Sequence, residues 1–229
     1  MRRARGVTER MDEPGLDPAE YRGCLRQLER INRLSLGYRP TLRWLEGMAR
    51  GRESLSVLDL GCGHGDTLRA IHRWGSARGL RLRLTGLDLA PLATQAARDA
   101  TPPGMGIRWV TGDAFTWEPP ERPDVVVSAL FMHHLEEAQV VALLRRMQGM
   151  ARLGWFVNDL HRHWLPWGFL RAAFALPGVN PIVRHDGPLS VRRGWTREEW
   201  AALCAQAGVA ARVRWHLPFR WGVGTDAPA

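Results

Sequence analysis

Two aspartates and three glycines share the eight residues DLGCGHGD, from Asp59 to Asp66. They follow the apolar run SLSVL, which has the composition of a strand that is buried on both faces. One glycine would close a turn between a strand and a helix, whereas glycines at 61, 63 and 65 also let a ligand lie directly against the backbone. We therefore predict a ligand site in this turn, with Asp66 capping the helix that follows.

A dinucleotide is one candidate ligand for such a turn. Its fingerprint, GxGxxG, would require a glycine at position 66, where this chain has an aspartate. A carboxylate at that place would also repel a pyrophosphate. A nicotinamide-dependent oxidoreductase is disfavoured on this ground, but it stays among the alternatives.

Histidines after two later apolar runs are of a type that moves protons. His133 and His134 follow DVVVSALFM, while His161 and His163 lie in NDLHRH together with Asp159. An imidazole with a pKa near neutrality suits proton removal from a phenol or an enol. We favour His161 as the base, with Asp159 orienting its ring, and keep the 133–134 pair as alternatives. Histidines two residues apart seldom close a metal site, so no metal site is predicted.

The elements that must position these residues alternate regularly. Strand-like runs SLSVLDL, RLTGLDL, IRWVTGD, DVVVSALF and GWFVNDL are separated by the helical patterns DTLRAIHRW, PLATQAARDA and EEAQVVALLRRM. This alternation indicates βαβ units and a parallel sheet that carries helices on both faces. Because ligands bind beyond the carboxyl ends of such strands, the candidate residues are expected to meet at one edge of the sheet.

The flanking regions complete a single domain over residues 1–229. We expect an N-terminal helical cap at 1–53, a ligand-binding core at 54–161, and a C-terminal helix with two short strands at 196–229. Residues 162–195 are rich in tryptophan, phenylalanine and proline and have poor periodicity. They are predicted to form a short helix and a loop over the sheet edge, as a lid with an acceptor pocket or as an extra core layer.

The composition is basic, with a formal net charge of +9 and no lysine among the cations. The arginines are spread along the chain, so we expect no specific nucleic-acid partner, while weak contact with a membrane surface stays open. No apolar run reaches the roughly 20 residues that cross a bilayer, and a cytoplasmic location is expected. The three cysteines have no metal-binding spacing. The sequence makes no prediction of oligomeric state.

The motif D-x-G-x-G-x-G, from Asp59 to Gly65, resembles the nucleotide motif of class I S-adenosylmethionine-dependent methyltransferases. GLDLAP, TGDAF and DVVVSALFMHHL extend the resemblance in family order over roughly residues 55–160. RINRLS and RHDGPLSVRR are also similar to a bacterial subgroup of small-molecule methyltransferases from polyketide-type biosynthesis. The resemblance implies an α/β, Rossmann-like, doubly wound fold. Its seven-stranded sheet would be mostly parallel, with an antiparallel C-terminal strand, N-terminal helices and a helical lid insert.

The cofactor implied by the resemblance is S-adenosylmethionine. Asp88 would accept hydrogen bonds from the ribose hydroxyls, Asp113 with Ala114 would contact the adenine, and Asp59 would orient the glycine loop or reach the methionine amine. The methionine carboxylate would lie near the glycine-loop amides and the helix N-terminus. The remaining implied cofactor contacts are Gly61, Cys62, Gly63, Gly65, Leu89 and Ser128.

The predicted function is therefore methyl transfer to the oxygen or carbon of a hydrophobic small molecule, which could be phenolic, quinone-like or a polyketide. An RNA or DNA methyltransferase is the main alternative. It is disfavoured because no N/D-P-P-Y/F signature follows the fourth strand, and because a lysine-containing tetrad is excluded. A binding module that has lost its chemistry is a third alternative. A carbon acceptor, or an already ionised phenol, would need no histidine base.

Overall fold

The computed structural model describes residues 1–13, 15–175 and 178–226. Seven strands form one sheet in the order β3-β2-β1-β4-β5-β7-β6. The strands are β1 (Ser54–Leu60), β2 (Arg81–Asp88), β3 (Arg108–Thr111), β4 (Val125–Ala129), β5 (Gly154–Leu160), β6 (Arg212–His216) and β7 (Arg220–Gly224). The helices are α1 (Pro18–Leu34), α2 (Arg39–Met48), α3 (Asp66–Ser76), α4 (Pro91–Asp99), α5 (Glu137–Met150), α6 (Trp164–Ala173), α7 (Pro181–Arg193) and α8 (Arg197–Ala207).

The sheet is mostly parallel, as predicted. Strands β1 to β5 pair in parallel, whereas β7 runs antiparallel to both β5 and β6. The chain builds outward from β1 to β3 and then returns to place β4 on the other side of β1. This reversal opens a crevice at the carboxyl ends of β1 and β4, which is where ligands bind in open α/β sheets.

Two apolar layers cover the sheet. One contains Leu68 and Ile71 of α3, and the other contains Leu143 of α5 and Trp200 of α8. Reciprocal capping boxes begin α5 and α8, so both helices start with their first amides satisfied. In the described part of the chain, no helix combines the length and apolar character needed to cross a membrane.

The region 162–195 contains two helices, α6 and α7, where the sequence predicted a short helix and a loop. Proline obscures the helical pattern in both. Pro166 lies in the first turn of α6, and Pro188 lies inside α7. A proline within a helix removes a backbone donor, which is why helix prediction fails there even though tertiary packing holds the segment helical.

The N-terminal segment, residues 3–12, packs against α7 rather than extending from the domain. The carboxylate of Asp186 accepts hydrogen bonds from the backbone N–H groups of Arg10 and Met11, both at 3.0 Å. One turn further, the Ser190 hydroxyl donates to the carboxylate of Glu9 at 2.8 Å. These contacts bring an acidic stretch of chain over the crevice of the sheet.

Candidate active site

A cavity of about 950 Å³ lies at the carboxyl edge of the sheet. One wall is formed by the glycine loop at 61–65 and by the ends of β2, β3 and β4. The opposite wall comes from α1, α6, α7 and the N-terminal segment. Its volume falls in the range of small-molecule and cofactor sites. The turn predicted to hold a ligand therefore faces a cavity of the size that a cofactor and a small molecule require.

The three glycines of the turn serve two different purposes. All have positive φ angles, of +70°, +50° and +73° at Gly61, Gly63 and Gly65. A Cβ at Gly61 would overlap the ring of Phe131, and one at Gly65 would overlap the ring of Trp109. A Cβ at Gly63 would instead meet no heavy atom within 4 Å. Two glycines thus make room for protein side chains, and the middle one leaves backbone open to a ligand.

Asp59 places a carboxylate with an unsatisfied oxygen beside this loop. Its side chain is 1% exposed, and Oδ1 has no hydrogen-bond partner among the described residues. Burial, and then the negative charges of Asp66 and Asp88, raise the pKa of Asp59 well above its usual value. A buried acceptor of this kind costs free energy unless a donor reaches it. The site is therefore suited to a cationic donor, such as a ligand ammonium group.

The prediction that Asp66 caps the following helix is wrong. The N-cap is Gly65, in a left-handed conformation, and Asp66 is the first residue of α3. Its carboxylate accepts hydrogen bonds from the Tyr38 hydroxyl at 2.7 Å and from the Asn32 amide at 3.2 Å. Asp66 thus joins the cavity wall to α1 and α2, and burial is the main reason that the pKa of Tyr38 is raised.

Asp88 ties the glycine loop to the start of α4. Its Oδ2 accepts from the backbone N–H of Gly63 at 2.8 Å, and its Oδ1 accepts from that of Ala90 at 2.9 Å. Burial raises the pKa of Asp88, although both backbone hydrogen bonds oppose the shift. Each oxygen keeps a second lone pair, so Asp88 can still accept from a hydroxyl of a ligand in the cavity.

Most of the residues that the resemblance implies line the cavity, including Cys62, Leu89, Asp113 and Ala114. The carboxylate of Asp113 also accepts from the N–H of Phe115 at 2.8 Å, which fixes the loop after β3. Gly65 and Ser128 are not part of the described lining. The hydroxyl of Ser128 is buried and donates to the carbonyl of Leu60 at 2.9 Å, so it joins β4 to β1. Its neighbours at 129–131 line the cavity instead.

The histidine pair after β4 lies in the cavity wall, and Asp159 is hydrogen-bonded to one member of the pair. The His133 Nδ1 is 2.7 Å from the Asp159 carboxylate, which also accepts from the His133 backbone N–H at 2.9 Å. The His134 Nδ1 is 2.8 Å from Asp12 of the N-terminal segment. Burial lowers the pKa of His134, but the hydrogen bond that its Nδ1–H donates to Asp12 and the charge of Glu9 outweigh the effect of burial, and the pKa is raised.

His161, the base that the sequence favoured, lies elsewhere. Strand β5 ends at Leu160, and the His161 ring packs against Trp221 of β7 at a centroid distance of 4.8 Å. His163 lies 5.3 Å from it, also outside the described cavity lining. Asp159 orients His133 and not His161. The structure therefore separates the pair that sequence spacing suggested.

Several acidic groups in the cavity carried no signal in the sequence. Glu9 and Asp12 come from the N-terminal segment, far along the chain from every motif. Glu29 of α1 binds the His64 Nδ1 and the Arg69 guanidinium, both at 2.7 Å, behind the glycine loop. Of all the residues named in this paragraph, only His64 lies inside a recognised sequence motif. The others required the fold to bring them to the cavity.

The cavity fits S-adenosylmethionine better than a dinucleotide. Its described lining contains nine carboxylates and one guanidinium, that of Arg220. A dinucleotide carries a negative pyrophosphate, whereas S-adenosylmethionine carries an ammonium and a sulfonium against a single carboxylate. Opposite charges attract strongly where water is excluded. The unsatisfied Oδ1 of Asp59, beside the open Gly63, offers a place for the ammonium group.

Comparisons with known proteins agree with this geometry. A family model described as a methyltransferase domain matches residues 57–154. A trans-aconitate 2-methyltransferase from Mycobacterium marinum is 37% identical over 174 residues, which cover 76% of this chain and 51% of that protein. A ubiquinone biosynthesis O-methyltransferase from Paracidovorax citrulli is 32% identical over 149 residues, which cover 60% of this chain and 54% of that protein.

The fold is also that of solved methyltransferases. A crystal structure of an S-adenosylmethionine-dependent methyltransferase from Aquifex aeolicus aligns with a TM-score of 0.64 at 18% identity, covering 91% of this chain and 97% of that chain. The chain spans about half the length of the curated relatives it matches. Motif order, sheet topology and cavity agree with both comparisons: residues 57–154 match a methyltransferase domain, and the fold is that of the class I S-adenosylmethionine-dependent methyltransferases.

Proposed function

We propose that this protein transfers the methyl group of S-adenosylmethionine to an uncharged, largely apolar small molecule that carries a hydroxyl group. The observation that carries the proposal is the composition of the cavity at the carboxyl edge of the sheet. Carboxylates at the glycine loop and the strand ends face a wall at α1, α6 and α7 that presents several apolar side chains beside its own acidic groups. The first suits a cationic methyl donor, and the second suits a hydrophobic acceptor.

The cofactor half of the cavity follows the strand ends. Asp59 accepts from the ammonium group, Asp88 from the ribose hydroxyls, and Asp113 from the adenine amino group. The middle glycine at 63 lets the methionine part lie against the backbone. The cofactor supplies the reactive methyl group, so the protein mainly has to align the acceptor with it and exclude water.

The acceptor half contains an apolar surface. It includes Leu25 and Leu28 of α1, Leu170 of α6 with Phe174 directly after that helix, and Val183 of α7. Such a wall binds a ring or an alkyl chain and keeps the reaction dry, which favours dispersal of the sulfonium charge in the transition state. The histidine pair at 133–134 provides a polar end, where an acceptor hydroxyl can be held.

The charge of the cavity favours an acceptor different from trans-aconitate, which appears in the name of the Mycobacterium marinum relative. Trans-aconitate carries three carboxylates, and binding it would require several cations in the cavity. Here Arg220 is the only arginine of the described lining, and its guanidinium already donates to the Asn32 side chain at 3.0 Å; the three histidines of the lining face carboxylates of the protein. Three more carboxylates beside nine others would be repelled. The proposed acceptor is therefore neutral, in the phenolic, quinone-like or polyketide class.

Binding and turnover test the two halves separately. Titration calorimetry should show S-adenosylhomocysteine binding and no NADH binding, and Asp88→Ala should weaken it by about 1–3 kcal/mol because ribose hydroxyls lose their acceptor. Asp99→Asn, at an exposed position on α4, is the matched control. Transfer of a labelled methyl group should then occur to alkylated phenols and not to trans-aconitate. NADH binding would contradict the cofactor, and turnover of trans-aconitate alone would contradict the acceptor.

A further inference from the structure

We propose that Glu9, His133 and His134 bind a first-row divalent metal ion, with zinc as the test case, at the acceptor end of the cavity. The three side chains come from the N-terminal segment and from the turn after β4. Two imidazoles and one carboxylate form a donor set typical of zinc and non-haem iron sites. The inference concerns this ion alone and does not depend on methyl transfer.

The ligand atoms are spaced around a common centre. The His133 Nε2 lies 3.8 Å from Glu9 Oε1, and the His134 Nε2 lies 3.9 Å from Glu9 Oε2. All three ligand groups have donor atoms within 4.8 Å of one another. These separations are too long for hydrogen bonds. They are close to the roughly 3–4 Å between neighbouring ligands that each lie about 2.0–2.2 Å from one ion.

Both imidazoles are turned toward that centre by a second carboxylate. The Nδ1 atoms lie 2.7 Å from Asp159 and 2.8 Å from Asp12, for His133 and His134 respectively. A carboxylate at Nδ1 holds the proton there and leaves the Nε2 lone pair free. Metal-binding histidines almost always show this arrangement, because it fixes the tautomer and the ring orientation.

Glu9 supplies an independent indication that a ligand is missing from its surroundings. The side chain is 2% exposed, and its Oε1 has no hydrogen-bond partner among the described residues. Its Oε2 accepts from the Ser190 hydroxyl at 2.8 Å, which holds the carboxylate in place. A buried, anchored carboxylate oxygen that faces two imidazoles is poorly satisfied without a cation.

The local charge also calls for a dication. Three carboxylates meet here, those of Glu9, Asp12 and Asp159, and the nearest guanidinium is that of Arg193, with Nε 3.8 Å from Glu9 Oε1. With both imidazoles neutral, the three carboxylates and the Arg193 guanidinium together carry a net charge of −2, which a divalent ion cancels. Its open coordination positions would face the cavity, where an oxygen atom of the acceptor could complete them.

Titration of the untagged, chelator-treated full chain with zinc tests the site. We expect one ion per chain, with an affinity about tenfold or more weaker in Glu9→Gln and in His134→Gln. Asp12→Asn, which alters only the outer carboxylate, should weaken it by about 10–100-fold. His161→Gln, a histidine outside the cavity, should leave zinc affinity unchanged. Cobalt should give a visible d–d spectrum that is lost in Glu9→Gln.

Binding of S-adenosylhomocysteine to each variant shows whether the fold is intact, so that loss of the ion is not mistaken for unfolding. No stoichiometric zinc binding by the unmodified chain would overturn the proposal. Zinc binding that survives both Glu9→Gln and His134→Gln, or that is lost in His161→Gln, would do the same. The His133 Nε2 would then be free to act as a base, with Asp159 behind it.

Discussion

The carboxylate of Asp59 lies where bulk water does not reach, and its surroundings are negative. The raised pKa of Asp59 affects the stability of the folded protein as well as the binding of a ligand. Below the pKa of the unfolded chain, both states hold the proton, and the residue has no effect. As the pH rises toward the folded pKa, the unfolded state releases its proton first, so the folded state loses stability. A cofactor ammonium would reverse this loss by pairing with the ionised group.

Asp59→Asn should therefore separate stability from binding. In ligand-free protein, its free energy of unfolding relative to the unmodified chain should increase as the pH rises from acid toward neutrality, because asparagine cannot ionise. Affinity for S-adenosylhomocysteine should fall by about 1.5–3 kcal/mol with loss of the charged hydrogen bond. Urea unfolding across pH and calorimetry measure the two effects. A stability difference that does not change with pH, or unchanged affinity, would contradict the role given to Asp59.

The placement of the carboxylates at 59, 88 and 113 near strand ends could be predicted from apolar periodicity, whereas the roles expected of Asp88 and Asp113 came from the family resemblance. The partner of Asp159 could not be predicted in this way. Spacing by two residues suggested His161, but β5 ends between them and the ring turns onto Trp221. The observed partner, His133, is 26 residues away in sequence. Only the adjacency of β4 and β5 in the sheet brings it there.

At the scale of elements, α7 contains the motif RHDGPLSVRR, and the contacts of this helix explain several residues of the motif. Asp186, Ser190 and Arg193 repeat at intervals of four and three, which places them on one face of the helix. That face binds the N-terminal segment, with the Arg193 guanidinium donating to the carbonyl of Val7. The sequence indicated the βαβ core, whose signals are local. It did not indicate this docking, because the contact joins opposite ends of the chain.

Asp186→Ala should release the N-terminal segment without unfolding the core. The amides of Arg10 and Met11 lose their shared acceptor, so their hydrogen exchange should become faster, by a factor that corresponds to about 1–3 kcal/mol. Amides in β1 and β4 should be unaffected. Arg192→Ala is the control, since its exposed side chain is one residue from Arg193 on the same helix. Exchange that speeds up equally in β4 would mean global destabilisation instead.

The whole molecule combines a basic exterior with an acidic interior. Its formal net charge is +9, whereas the charged groups of the described cavity lining are nine carboxylates and one guanidinium, besides three histidines. Positive charge spread over a surface attracts polyanions without selecting among them. The same charge does not extend into the cavity where methyl transfer is proposed. The basic surface therefore attracts polyanions of any kind, whereas only the cavity discriminates among ligands.

Nucleic acid should accordingly bind weakly and without preference. Fluorescence anisotropy with unrelated RNA and DNA duplexes should give similar affinities that fall steeply between low and physiological salt, as expected for phosphate contacts alone. S-adenosylhomocysteine should not compete, because the two ligands occupy different surfaces. Tight, salt-resistant binding of one RNA sequence would instead favour the RNA methyltransferase alternative.

The docking of residues 3–12 on α7 also has a consequence for how the protein is made. Arg10 and its acceptor Asp186 are 176 positions apart, so the ribosome must complete strands β1 to β5 and reach α7 before this contact can form. Closing so large a loop is entropically costly and slow compared with forming the local βαβ units. The core therefore folds while the cavity is still open on one side. Its acidic wall at Glu9 and Asp12 can form only after α7 has been synthesised.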